Sequence, residues 1–201
     1  MSAKARIPLT VTCLCALLLS SAGLAADYWP VAPGITWNYG TSASSTYSVQ
    51  MGVSDTSFWL VEPDLFLAPL SRFVVNSDGD IEAKSWTYFH EYGIRYAIFD
   101  PPLLFLDFPL DVGKTWETVN ATGGLRGEVL REETVTVPAG TFQTKVVRIT
   151  DILNGGLFVG DYYLDRNIGN VKHRGVGLFS FSGPIAAESQ QSWGSVKALF
   201  R

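Results

Sequence analysis

Apolar and polar residues alternate one for one along much of this chain, and that alternation leaves little room for anything but strands. Tyr47, Val49, Met51 and Val53 take turns with Ser48, Gln50 and Gly52, the period-two pattern of a strand with one buried face. Ile94, Tyr96 and Ile98 repeat it, as do Val135 and Val137 after Thr134 and Thr136. The stretch from Thr141 to Leu153 is rich in β-branched residues, and "GLFVGDYYLD", "GVGLFSFSG" and "SWGSVKALF" (Ser192 to Phe200) follow at short intervals. About ten to twelve strand-like runs result, separated by short Gly, Pro, Asp and Asn turns. No window carries a sustained helical stripe, and a turn or two near Ile185 to Glu188 is the one helical expectation. The pattern predicts an all-β chain, or β with one short helix. Its architecture would be a single antiparallel, strongly curved sheet, an open barrel or a sandwich.

Turn chemistry supports the division into strands. "VVNSDGDIEA" sets Asp78-Gly79 between two strand patterns, and glycine there reaches positive φ at little cost, a hairpin signal. Pro63, Pro69, Pro101, Pro102 and Pro109 fall in the middle of the chain. Proline cannot donate to a sheet ladder, so these belong to connections or edges. Asp100 to Asp111 reads as a crossover loop with its leucines lying over the core.

The first 26 residues read as an export signal. Lys4 and Arg6 open it, an apolar stretch from Leu9 to Leu19 follows, and small residues end it before Asp27. This is the layout of a secretory signal peptide, and the stretch is shorter than the roughly 20 apolar residues of a membrane span. Residues 1–26 are therefore expected to be cleaved, leaving 27–201 as one β-rich domain. Cys13 and Cys15, the two cysteines of the chain, both lie in the signal. Thr12 and Leu14 precede them, which does not fit the small-residue context of a lipid-anchored cysteine. The expected address is periplasmic or secreted. The remaining domain would have neither disulfide nor thiol nucleophile, so packing alone must hold it. Cleavage removes two of the fifteen basic residues and no acid, leaving thirteen against nineteen and a net charge of −6. That balance argues against nucleic acid as a partner. No later apolar run is long enough for a membrane helix.

One motif occurs twice. "PVAPGITW" (Pro30 to Trp37) and "PLDVGKTW" (Pro109 to Trp116) share Pro, Gly, Thr and Trp at the same spacing, and Pro138-Ala-Gly-Thr-Phe142 is a looser third version. Proline presets φ for a turn, glycine takes the conformation other residues avoid, and Thr with an aromatic starts a strand. On one reading Trp37, Trp116 and Phe142 are core anchors at strand starts. On the other they are ligand-binding aromatics at the mouth of a pocket.

Taken with "YWPVAPGITWNY", "PPLLFLDFPLDVGKTW", "VTVPAGTFQTKVV" and "YYLDRNIGNVK", this motif resembles a family of exported bacterial proteins of unknown function. Its marks are a Tyr-aromatic-Pro…Gly…Trp-x-Tyr opening, a "VPAGTF" turn and a late Gly-x-Val-Lys turn. The resemblance implies an exported, mostly antiparallel β domain and brings no catalytic residues. A more distant likeness is to lipoprotein-carrier-type open β-barrels, whose curved sheet cradles lipid chains.

Catalytic and metal patterns are sparse. "NSDGDIE" offers Asn76, Asp78, Asp80 and Glu82 at alternate positions, but Ile81 stands where a calcium loop needs Gly and Thr87 where it needs Glu. His90 and His173 lack a nearby second ligand. G-x-S-x-G is absent around Ser180, and no phosphate loop precedes a helix. Glu132 and Glu133 are adjacent, so in a strand they face opposite sides. Asp151, Asp161 and Asp165 flank late strands, and Asp165-Arg166 with Lys172-His173-Arg174 suggests a charged rim. Asn120-Ala-Thr122 matches the glycosylation acceptor pattern. The expectation is an envelope module without catalysis, metal or cofactor, binding an apolar or polymeric ligand or a partner protein. The alternatives are a cell-envelope hydrolase using Asp/Glu chemistry and a small outer-membrane β-barrel.

Overall fold

A computed structural model describes residues 28–54, 57–61, 71–90, 93–153, 157–173 and 175–183. Thirteen strands and one three-residue 3-10 turn (Ala43–Ser45) make up its elements. The strands are β1 (Thr36–Tyr39), β2 (Tyr47–Ser54), β3 (Ser57–Val61), β4 (Ser71–Val75), β5 (Ile81–His90), β6 (Gly93–Leu106) and β7 (Thr115–Val119), then β8 (Gly124–Val137), β9 (Gly140–Asp151), β10 (Leu157–Asp165), β11 (Gly169–Asn170), β12 (Lys172–His173) and β13 (Val176–Ser182). All pair antiparallel. They form an eight-stranded sheet, β12-β13-β1-β2-β3-β4-β5-β6, and a five-stranded sheet, β11-β10-β9-β8-β7. The larger sheet curls strongly into a half-barrel. The all-β expectation holds. The export signal, the helical turn near Ile185 and the strand from Ser192 lie outside the described residues.

Each sheet begins with the repeated motif, and both copies are built alike. Gly34 and Gly113 sit at φ 80° and 88°, a region a side chain would oppose. Gly34 N–H donates to Met51 C=O, whose own N–H donates back to Ile35 C=O. Gly113 N–H donates to Val129 C=O, and Val129 N–H returns to Lys114 C=O. Two residues further on, Trp37 faces Val49 across β1–β2 and Trp116 faces Gly127 across β7–β8. The turn thus ends in a two-bond clasp that fixes strand register before the tryptophan enters the core. The third version differs: Pro138 and Ala139 form the tight turn between Val137 and Gly140 of the β8–β9 hairpin.

The core lies between the sheets. Trp29 packs on Phe73, Phe105 and Tyr162, with ring centroids 5.8, 5.8 and 6.4 Å away. Phe105 also meets Trp86 at 4.9 Å and Tyr162 at 5.4 Å, both edge to face, the arrangement ring quadrupoles favour. Tyr162 comes from the five-stranded sheet and the others from the larger sheet or the segment before it, so this cluster joins the two layers. Val146 and Val147 are adjacent in β9 and both fully buried. Consecutive strand residues face opposite ways, so both faces of the hairpin are covered there. Val147 belongs to the main core, while Val146 lies between its cross-strand neighbours Arg131 and Tyr163.

Two sequence expectations are corrected. Asp100 to Asp111 is not a loop throughout, since β6 runs on to Leu106. Its prolines are tolerated because β6 ends the sheet and bulges there. Its pairing to β5 jumps from Ile98↔Ser85 to Leu103↔Ala83, leaving 99–102 off the ladder. The leucines do lie in the core: Leu103, Leu106 and Leu110 are buried. The second correction concerns the alternation at Ile94, Tyr96 and Ile98. Tyr96 and Ile98 are 54% and 61% exposed, while Phe99 is buried and Ala97 packs on the core. Period two marks a strand here but does not say which face turns inward.

Candidate functional site

The sequence-predicted aromatics occupy three separate places. Trp37 is 2% exposed, and its Nε1–H donates to Ile168 C=O at 2.7 Å, reaching from the large sheet to the turn before β11. Two residues on, the Tyr39 hydroxyl donates to Asn170 C=O at 2.7 Å. Trp116 is 7% exposed and its Nε1–H has no partner among the described residues. Its indole lies across Gly127: a Cβ on that glycine would sit 2.0 Å from Cε2 and 2.1 Å from Cζ2. Phe142 is half-buried near the start of β9 and packs against the core edge. Trp37 and Trp116 therefore hold equivalent places in different sheets and do not converge on one opening.

The carboxylates singled out by sequence are engaged one by one. Glu132 pairs with Lys145, and Glu133 pairs with Arg131 at 2.5 Å, on opposite faces as adjacent strand residues must. Asp161 binds Arg148 through two bonds of 2.9 and 3.0 Å. That contact, the largest influence on Arg148, raises the guanidinium pKa above its usual value despite some desolvation. Asp165 accepts from Asn167 and Ile168 N–H and so shapes the β10–β11 turn. Burial pushes its carboxyl above the usual range, and the two N–H donors partly offset this. Lys172 lies 4.7 Å over the Tyr163 ring beside this turn. Of the charged rim read from the sequence, Asp165 closes a turn and Lys172 covers a ring, while Arg174 lies outside the described residues.

The remaining motifs are structural devices. Asn76 Oδ1 accepts from Asp78 and Asp80 N–H, closing the hairpin loop. Asp80 Oδ1 accepts from Phe108 N–H at 2.7 Å, latching that loop to the chain after β6. In Asn120-Ala-Thr122 the amide oxygen accepts from Thr122 N–H, Thr122 Oγ1–H and Gly123 N–H, and the amide nitrogen donates to Pro101 C=O. His90 ends β5 and His173 ends β12, at opposite sides of the strand order. Among the described residues no three His, Cys, Asp or Glu side chains gather as a metal site would require. No helix in them is long and apolar enough to cross a membrane.

Comparison with protein-family models, curated proteins and solved structures gives no match. The residues themselves must then carry the functional reading.

One arrangement escaped the sequence reading. Trp59 on β3 repeats the tryptophan-on-glycine packing of Trp116, with Gly52 of β2 beneath it. A Cβ on Gly52 would lie 2.2 to 2.4 Å from Cε2, Cζ2 and Nε1. Its neighbours Phe58 and Leu60 point into the core, so Trp59 lies on the opposite, outward face of the half-barrel. The available signal was Gly52 itself, since a glycine inside an alternating strand marks the close approach of another group.

Proposed function

We propose that this chain is an exported, non-catalytic module of a cell envelope that binds a polymeric ligand or a partner protein on its outer surface. The observation that carries this reading is the aromatic packing between the two sheets among the described residues. A carrier that encloses lipid chains needs a hollow between its sheets, and here rings of Trp29, Phe73, Phe105 and Tyr162 occupy that space. This packing favours ligand contact on the outer surface. Glu132, Glu133, Asp161 and Asp165 each have separate partners, which supports binding over acid-base chemistry, because general acid and base need carboxyl groups converging on one substrate.

Cross-linking in intact cells, followed by purification of the full-length product and native mass spectrometry, tests the proposal. A discrete adduct with an envelope polymer or protein is the expected result. Tightly bound lipid buried in the fold, or turnover of an envelope polymer by the purified protein, would overturn it.

A further inference from the structure

Trp59 is half-buried and lies across Gly52 on the outward face of the half-barrel. Without a side chain on Gly52, the indole settles onto the strand and turns its other face away from the core. Beside it on β4 stands Arg72, directly opposite Trp59 in register. Gln50 is two residues before Gly52 on β2, on the same face. Arg72 and Gln50 are exposed. The side chain of Arg72 makes no ion pair or hydrogen bond among the described residues. Arg126, Arg131 and Arg148 each hold a carboxylate. The indole N–H groups of Trp29 and Trp116 are buried without a partner among the described residues, whereas that of Trp59 is not.

We infer that Trp59, Arg72 and Gln50 form a docking platform for an acidic polysaccharide. This deepens the proposed function and rests on it. One face of a pyranose ring presents C–H groups of partial positive charge, which match the negative face of an aromatic ring. The rim of the sugar presents hydroxyls, which suit the Gln50 amide and the Trp59 N–H. A guanidinium without a carboxylate among the described residues is a local positive site that fits an anionic unit, which it grips through paired N–H donors. The platform lies on a sheet face, not in a cavity, and so accepts a unit within a long polymer. Neighbouring strands run about 4.8 Å apart, so one sugar ring spans from the indole to the reach of Arg72.

Titration calorimetry of the purified protein with a short oligogalacturonate, and in parallel with a neutral oligoglucan, provides the test. The acidic oligomer is expected to bind and the neutral one to bind more weakly. Trp59→Ala should weaken binding by about thirty-fold, the usual scale for losing a central aromatic anchor. Arg72→Gln should weaken it by about ten-fold and flatten its dependence on salt. Arg72 is exposed, so that variant reports on the ligand even if Trp59→Ala disturbs the sheet. Binding unchanged in both variants, or equal binding of the two oligomers, would overturn the platform. Failure of the wild type to bind either sugar, with an envelope adduct present in native mass spectrometry, would overturn the platform alone. Failure of both would remove the surface-binding function as well.

Discussion

Gly127→Ala places one methyl group where the indole of Trp116 already lies. The added Cβ would stand 2.0, 2.1 and 2.6 Å from Cε2, Cζ2 and Nε1, distances no pair of heavy atoms tolerates without a shift. Trp116 is buried and cannot swing into water, so the strand or the ring must move. Overpacking of this kind costs about 1–3 kcal/mol. Against it stands a gain of about 0.4–1 kcal/mol, because alanine restricts the unfolded chain and the backbone at this position is not left-handed. The net loss is about 1–2 kcal/mol, or a melting temperature lower by roughly 2–8 °C for a domain of this size. The molecule supplies its own control. Gly127 and Gly160 both pair with Ile149, one on either side, and the nearest atom to a Cβ on Gly160 is 3.8 Å away. Gly160→Ala should be neutral or slightly stabilising. Thermal melts followed by circular dichroism compare the two, and Trp116→Phe in the Gly127→Ala background should recover part of the loss. Equal melting temperatures for the two alanine variants would refute the claim that the indole fills the space above Gly127.

Asn120→Ala removes the amide that accepts three bonds and donates one, and should lower stability by about 1–2 kcal/mol. Asn120→Asp, which keeps the acceptors, should cost less, and a melt in which the two are indistinguishable would contradict the shared-amide account. Asp80→Ala strips the acceptor from Phe108 N–H at a cost of about 1–3 kcal/mol. Hydrogen exchange at the Phe108 amide should accelerate, and unchanged protection there would count against the latch. Asp165→Asn should stabilise the protein at neutral pH. The folded carboxyl titrates above its ordinary 3.8, so the folded state binds the proton more readily than the unfolded one. Asp165 therefore contributes less stability as pH rises through its folded value, and more as pH falls towards 3.8. The variant's advantage should shrink across that acidic window, and an advantage that grows on acidification would reverse the sign of the argument.

Strand content and the location of most turns were legible because they depend on neighbours in sequence. The paired clasps at Gly34 and Gly113 were visible as a repeated word, since each is a local turn followed by a strand. Face assignment was less legible. Tyr96 and Ile98 alternate as a buried set would, yet Phe99 and Ala97 take the inward positions; which set wins depends on the partner strand and on a bulge between Ile98 and Leu103. Val146-Val147 looks like one strand's apolar run and serves two sides of a twisted hairpin. At the candidate platform, Gly52 could be read as a close approach, but that the approaching group is Trp59, with Arg72 alongside, follows only from strand register.

Trp37 and Tyr39 stand on one strand and reach across to the carbonyls of Ile168 and Asn170, just where the chain passes from the smaller sheet into the larger. That corner acts as the spine of a book. Along the opposite margin, side-chain bonds of Asn120 and Thr122 to the Asp100–Pro101 backbone join the covers. Breathing of the fold should accordingly begin at the fore-edge, so that Asp100 and Gly123 exchange their amide protons well before Ile168 and Val171, and the two halves part last at the spine.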